Sequence, residues 1–417
     1  MVVERLRFKD ENGNAYPDWQ HHKLSSHGEG YSGISGLDKN YFNTNKDNAI
    51  YITYMDVFSK YVISDPSGTF LNVNENQNIV KYGDVLFTTS SETREEVGIA
   101  SLYLGDKPTY LNSFCFGWSS NWERNHYFMS YLFNSTPIRR KIIKLGQGST
   151  RFNISKNKLL NLPLNIPTIK EQEKIGNFLS LFDRLILKIE TKIGLLKELK
   201  KGYLQQMFPA KGETVPKIRF SGFDRDWEYY KLSDYGEGYT GISGLNNNYF
   251  NTDKDNAIYI TYMDVFSKNV ITNPSGTFLK ENENQNIVKY GDILFTTSSE
   301  TRKEVGIASL YLGEKPTYLN SFCFGWHSNW DRNHYFISYL FNSKPIRRKI
   351  IKLGQGSTRF NISKNKLLNL PLNFPIIKEQ EKIGNFFRSL DSMIEKQEKE
   401  FNTIERLKKG YMQRLFV

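Results

Sequence analysis

The apolar positions of this chain fall into two contrasting patterns, and each pattern occurs twice. From about Lys170 to Phe208, the residues Ile175, Phe178, Leu179, Phe182, Ile186, Ile189, Ile193, Leu196, Leu199 and Tyr203 recur at spacings of three and four. That spacing marks one apolar stripe on a long helix. A helix of roughly 35 residues rises about 50 Å, more than a lobe of ordinary size needs, so the stripe requires a cover. From Lys378 onward, Ile383, Phe386, Phe387, Leu390, Ile394, Phe401, Ile404 and Leu407 repeat the seam. The spacing predicts two long helices, packed antiparallel as a coiled-coil-like spacer.

Upstream of each helix the period shortens. Between Leu24 and about Leu145, β-branched and aromatic runs alternate with turn chemistry. GEGYSGISGL is Gly-rich, AIYITYMDVF reads as a strand, DPSG at 65–68 as a turn, and NIVKYGDVLFTTS as a hairpin-like strand pair around Tyr82, Gly83 and Asp84. NHYFMSYLFNSTPIRRKIIKL has helical spacing, with Pro137 restarting a second helix. A Gly-x-Gly turn from Gly146, an extended RFNIS, a helical turn KNKLLN and an apolar strand complete the unit. The pattern predicts a mixed α/β (α+β) lobe.

The whole succession then repeats. Gly28 matches Gly236, Asp84 matches Asp292 and Gln172 matches Gln380, a shift of 208 (236 minus 28) that holds from Trp19/Trp227 to Phe208/Phe416. Residues 137–173 recur as 345–381, with Phe374 for Ile166 and Ile376 for Thr168. A period this long lets each copy bury its own core, unlike the short units of solenoids. The expected organisation is a pseudo-twofold of two lobes, 1–169 and 219–377, followed by helical spacers 170–208 and 378–417, with a Pro/Gly linker at 209–218.

Composition narrows the partners. The 417 residues carry a net charge of +12, and the excess lies in both copies, which favours a polyanion. Cys115 and Cys323 occupy the same position in the two copies, so they read as buried single thiols of a reducing cytoplasm, not as a disulfide framework or zinc site. The first residues are charged from the fourth onward, and no apolar run approaches a membrane span. A soluble, cytoplasmic protein is expected.

Catalytic signals are weak. DPSG and NPSG (273–276) lack the second Pro and the aromatic residue of an adenine-methyltransferase loop. Asp183, Glu190 and Lys192 only loosely imitate a nuclease metal site, and GQGST lacks the Gly-Lys-Ser/Thr of a phosphate loop. His126 and His334 stand without a metal-ligand cluster and read as packing residues. Neither catalytic residues nor a metal site is expected.

The loop FTTSSETR points elsewhere. Ser90, Ser91, Thr93 and Arg94, with Ser298, Ser299, Thr301 and Arg302 in the second copy, make a hydroxyl-rich loop ending in a guanidinium, suited to base edges and phosphates. Tyr31, Ser32, Gly33, Asn40 and Tyr41, and Lys144, Gln147, Ser149, Thr150 and Arg151, are further candidate DNA contacts. Their counterparts are Tyr239, Thr240, Gly241, Asn248 and Tyr249, and Lys352, Gln355, Ser357, Thr358 and Arg359.

In order, Arg-Phe-x-x-Phe...Trp-x-x-x-x-Leu, Tyr-Gly-Asp-Val-Leu-Phe, Gly-Ser-Thr-x-x-x-Ile-Ser-x-x-x-Leu and Pro-x-x-x-Glu-Gln-x-x-Ile before a long helix resemble the specificity subunit of type I restriction-modification systems. The resemblance occurs twice and covers nearly the whole chain. It implies two target recognition domains that read double-stranded DNA. It also implies a helical ruler that docks two modification subunits, which bind S-adenosylmethionine and methylate adenine, while this chain binds no cofactor. Motor-nuclease restriction subunits are a further implied partner. Family members usually carry dissimilar lobes; here the lobes are nearly identical, so the half-sites are expected to be alike. A type IIB-like restriction enzyme would use the same reader. A self-sufficient enzyme would instead act as the purified chain alone, and a non-DNA scaffold would assemble into a complex that binds no DNA.

Overall fold

The computed structural model describes residues 5–416 apart from 38, 46, 47, 67, 73–75, 246–248, 252, 254 and 255. The chain forms two compact units, residues 1–190 with 399–417, and residues 191–398. Each unit therefore holds one lobe, the first part of that lobe's long helix, and the last part of the other copy's helix.

In the first unit a five-stranded sheet runs in the order Gly28–Ser32, Cys115–Ser120, Val85–Thr88, Ala100–Tyr103, Val62–Ile63. Its pairs are antiparallel except the last, which is parallel. Val85–Thr88 is buried at all four positions because both faces of the sheet are covered. Val85 and Phe87 join a core with Phe128, Phe133 and Ile142, while the alternate residue Leu86 packs with Val57 and Ile63. A four-stranded sheet of Thr109–Leu111, Ala49–Ile52, Phe70–Leu71 and Phe42–Asn43, whose strands are interleaved in sequence with those of the first, builds a smaller core around Tyr51 and Tyr110. The second unit repeats both sheets with the same strand orders.

Two local expectations change. AIYITYMDVF is a strand only through Ile52, because Thr53 and Asp56 form a reciprocal capping box that starts the helix Tyr54–Ser59. The arms around Tyr82–Asp84 do not pair as a hairpin: Val80 bridges Thr109, whereas Val85–Thr88 lies between Ala100–Tyr103 and Cys115–Ser120. Gly83 does supply the turn, at φ +86°, but long-range partners take both arms. The DPSG reading includes residue 67, outside the described residues. The predicted helix pair is present as His126–Asn134 and Thr136–Leu145, with Pro137 in the first turn of the second.

The long helices are Ile169–Gln206 and Ile377–Leu415. In the first unit Met412, Leu415 and Phe416 complete the core around Phe128 and Leu179. The sense is antiparallel: Phe178 meets Tyr411, and five residues on, Asp183 accepts from Lys408. In the second unit Met207 and Phe208 do the same, Tyr203 meets Phe386, and Lys200 donates to Asp391. Leu199 and Leu407, expected in the seam, are instead exposed; Lys200 and Lys408, one position on, make the contacts.

The Glu-Gln pair that opens each long helix is structural. Glu171 is fully buried and takes a bidentate ion pair from Arg7, and Glu379 takes the same from Arg219. Gln172 accepts from the amide of Asn125 and donates to the carbonyl of Pro167. These bonds fasten the N-terminal strap and the His126–Asn134 helix to the root of the long helix, and a buried carboxylate left without its guanidinium would cost about 3–5 kcal/mol.

Candidate nucleic-acid interface

The two loops singled out in sequence are neighbours in space. Ser90–Ser91 pairs antiparallel with Phe152–Asn153, placing FTTSSETR against GQGSTR. Thr89 joins a third segment, because its amide donates to the carbonyl of Phe114 while its own carbonyl accepts from Ile154. Arg94 stands exposed and reaches the carbonyl of Gly146 at 3.4 Å. Lys144 is exposed at the end of its helix, and Gln147, Ser149, Thr150 and Arg151 are exposed on the turn that follows. The second unit repeats the arrangement, with Ser298–Ser299 against Phe360–Asn361, and Thr301, Arg302, Lys352, Gln355, Ser357, Thr358 and Arg359 exposed.

Other candidates lie elsewhere or face inward. Tyr31 donates its hydroxyl proton to Asp84 at 2.6 Å, and burial beside that carboxylate pushes the phenol far above its usual range. Tyr239 makes the same bond to Asp292. Gly33 and Gly241 are buried where a Cβ would strike the carbonyls of Asn112 and Asn320. The hydroxyl protons of Tyr31 and Tyr239 are thus engaged by buried carboxylates, and the two glycines have no side chain to offer. Ser32 and Thr240 are exposed at strand ends, whereas Asn40, Tyr41 and Tyr249 lie exposed just before the edge strands of the four-stranded sheets. Asn248 falls outside the described residues. Ser91 and Ser299 donate to Glu96 and Glu304, as does Thr301 to Glu304, so part of the hydroxyl set serves the loop itself.

Sequence reasoning missed what holds and flanks this loop. Arg139 donates to the carbonyls of Glu95, Val97 and Gly98, and Arg347 repeats this on Lys303, Val305 and Gly306. Burial pushes each guanidinium down to about 10, still protonated at neutral pH. The backbone that follows Arg94 is thus held by three charge-assisted hydrogen bonds from one guanidinium. Beside the loop is an open cleft of about 250 Å³ walled by Tyr54, Met55, Phe58 and Phe114. Ser90, Ser91, Glu92, Glu96 and Arg151 supply its polar side, and Arg151 lies over Phe114. The Thr53-x-x-Asp56 cap was the available signal that Met55 sits on a helix; no local signal places Phe114.

Among the described residues no group of three or more His, Cys, Asp or Glu is placed to hold a metal ion. Asp183 accepts from Tyr131 and Lys408, a packing role. Cys115 and Cys323 are buried free thiols. Among the described residues no helix is long and apolar enough to cross a membrane.

A strongly basic chain that carries one α/β lobe twice, each lobe presenting the same paired loops, has the make-up of a two-lobed nucleic-acid reader. The chain belongs to the family described as the type I restriction modification DNA specificity domain, whose sequence profile matches residues 40–201 and again 224–406. It is 27% identical over 99% of its length to a type I restriction enzyme specificity subunit of Methanocaldococcus jannaschii, MjaX, itself named provisionally, of which 97% is covered. It is 24% identical to the MjaVIII specificity subunit of the same organism, over 87% of this chain and 84% of that one. The crystal structure of the type I restriction-modification S subunit from M. genitalium superposes with a TM-score of 0.59 at 13% identity, covering 100% of this chain and 99% of that one. That likeness shows a shared fold, two repeated domains with long helices packed together.

Proposed function

We propose that this chain is the DNA-reading subunit of a type I restriction-modification assembly in which each lobe, 1–169 and 219–377, reads one half of an interrupted palindrome. One observation carries the reading: the paired loops are chemically the same in both units, FTTSSETR against GQGSTRFNIS in each. The major groove distinguishes all four base pairs by donor and acceptor pattern, so identical readers select identical bases. If the lobes are related by a twofold, one reads its bases on the top strand and the other on the bottom strand. The long helices set the spacer and dock two modification subunits, which bind S-adenosylmethionine and methylate one adenine in each half; this chain supplies no catalytic group. Motor-nuclease restriction subunits are a further partner.

The test is single-molecule methylation sequencing of a genome modified by the assembly. A palindromic bipartite motif with one methylated adenine per half, on opposite strands, is expected; an asymmetric motif assigned to this subunit would overturn the equal-reader argument. The ruler is tested on the same readout. Four residues inserted in both helices, after Glu190 and after Glu398, where the two units meet in sequence, add roughly 6 Å at about 1.5 Å per residue. That is about two base pairs at roughly 3.4 Å each. The spacer should lengthen while both half-sites stay the same, and an unchanged spacer at full activity would remove the helices as the ruler.

A further inference from the structure

The cleft beside the paired loops is present in both units with the same nine side chains, although 208 residues separate the copies. Its counterpart in the second unit, also about 250 Å³, is walled by Tyr262, Met263, Phe266 and Phe322 and carries Glu300, Glu304 and Arg359. Three features mark it as more than a surface depression. Its walls expose large apolar groups to solvent, Met55 at 58% and Phe114 at 52%, with Met263 and Phe322 at 58% and 53%. Ser90 and Ser298 form part of the lining, only 6% exposed, and the Oγ of each has no hydrogen-bond partner among the described residues. A buried hydroxyl without a partner is costly, and here the same cost recurs in both copies. Finally, Ser90, Ser91 and Glu92 belong to one loop of the candidate interface and Arg151 to the other.

The chemistry selects the ligand. Two carboxylates against one guanidinium disfavour a phosphate. Ionised carboxylates accept hydrogen bonds and cannot donate them, so an edge that offers only acceptors is repelled: guanine shows N7 and O6 in the major groove, and thymine shows O4. Adenine offers its amino group but also the N7 acceptor beside it. Cytosine alone presents an N4 amino donor with no acceptor on its own edge, next to an apolar C5–H that suits Phe114 and Met55. On the opposite strand, the guanine O6 and N7 of the same pair are the usual targets of arginine, and Arg151 flanks the cleft.

Resting on the reading of the lobes as DNA readers, we infer that each cleft is a specificity-determining subsite for the cytosine of one C·G pair in its half-site. Glu92 and Glu300 accept from N4 at the rim, and the Met–Phe wall covers C5.

The experiment uses the full chain assembled with its modification subunits, and duplexes bearing the motif found by methylation sequencing. Glu92→Gln alone leaves the second lobe as an internal control. It should lower discrimination at one C·G position of one half-site by roughly 5- to 150-fold, the span of a good base contact, and leave the other half-site, the spacer and the remaining positions unchanged. An unaltered motif with unaltered affinity, or a change in both half-sites, overturns the subsite. A second measurement needs no variant. In the wild-type assembly, N4-methylcytosine at that position should weaken binding, while the same base elsewhere in the duplex should not. Equal binding at every cytosine of the half-site, or a half-site without a C·G pair, overturns it as well. A wild-type assembly that binds no bipartite site at all sinks the DNA-reading proposal and the subsite together, whereas a normal motif with an indifferent cleft sinks only the subsite.

Discussion

The two copies are identical at the paired loops and the cleft beside them, and differ at scattered positions elsewhere, a few of them in packing. Both clefts have the same side chains, and both FTTSSETR loops keep their hydroxyls and guanidinium. Elsewhere, His22 and His27 lie against Trp122 in the first unit, where the second places Tyr230 and Tyr235 against Trp330. Ser119 gives way to His327, which bonds the buried Asp292 at 2.6 Å. Tyr61, whose ring covers Lys408, is replaced by Asn269. Most other differences follow the usual rule that exposed substitutions cost little: the core changes only conservatively, as at Val85/Ile293 and Met129/Ile337, while exposed positions such as Asn72/Lys280, Asp106/Glu314 and Thr136/Lys344 differ in size or charge. The two loops and the cleft are exposed surface that does not differ.

The comparison breaks most severely at the helix ends. Phe208 is buried against Trp227, Phe336 and Phe387 in the second unit, and Phe416 against Trp19 and Phe128 in the first. Each belongs to the other copy's helix, so Phe208→Ala should loosen the second unit and Phe416→Ala the first, by about 3–5 kcal/mol. Phe208→Ala should cost more, since Trp227 is 2% exposed and Trp19 is only half-buried. Amide hydrogen exchange, read separately over the two units, decides it; loss of protection in the unit that owns the lobe of the mutated copy would refute the exchange of helix ends. By the same logic a half-chain ending near Lys211 should dimerise through its own Tyr203, Met207 and Phe208. A soluble monomer at micromolar concentration would refute it too.

Next in size are the candidate contacts. Arg94→Ala and Arg302→Ala should each weaken DNA binding by about 1–3 kcal/mol and relax one position in one half-site. Equal effects of the two sharpen the equivalence of the lobes. If only the salt dependence falls, with the motif intact, Arg94 is a phosphate contact, and unchanged binding removes it from the interface.

How much of this was legible depended on the range of the interactions. Periodicity located both long helices to within a residue at their starts, because an amphipathic stripe is a local signal. It placed Leu199 and Leu407 in the seam, however, because spacing alone does not say which flank of a stripe meets a neighbour. Turn chemistry at Gly83 was readable, but the partners of the flanking strands were not, since Val80 finds Thr109 across a long separation. Of the candidate contacts, the exposed loop residues were found by composition. Tyr31 and Gly33 face inward for reasons held in Asp84 and Asn112, far away in sequence. The cleft was illegible for the same reason, as it needs a helix, two loops and Phe114 to converge.

A smaller effect should distinguish the two lysine latches. Lys408 is 7% exposed, pairs with Asp183, and lies 4.0 Å from the Tyr61 ring centroid and 5.1 Å from that of Tyr131. Lys200 pairs with Asp391 but, among the described residues, lies over the ring of Tyr339 alone, at 5.3 Å. Tyr61→Asn, which gives the first unit the residue of the second, should cost the first unit about 1–2 kcal/mol for a desolvated cation–π contact. A double-mutant cycle with Lys408→Met isolates the term; a coupling near zero would mean that Tyr61 only fills space.

The smallest expected difference is one of pH. The Nδ1 of His22 lies 3.0 Å from the Nε2 of His27, so one imidazole can donate to the other only while at least one is neutral. Burial, followed by the neighbouring charges of His27 and His21, holds His22 below its usual value of 6.5. A histidine whose folded value is depressed favours the folded state in its neutral form. Its contribution is therefore present above about 6.5, falls as pH drops from there toward the lower folded value, and is constant below it. His126 and His334 are depressed as well, by burial and then by Arg124 and Arg332, so both units lose some stability over the same window. Only the first unit has the histidine pair in addition. His22→Tyr with His27→Tyr installs the residues of the second copy and removes that part alone. Hydrogen-exchange protection of the first unit should then decline less as pH falls below 6.5 than it does in the parent chain, with the second unit unaffected. Equal slopes in parent and variant would show that the imidazole contact carries no net energy, and that the two copies differ there in shape but not in their response to acid.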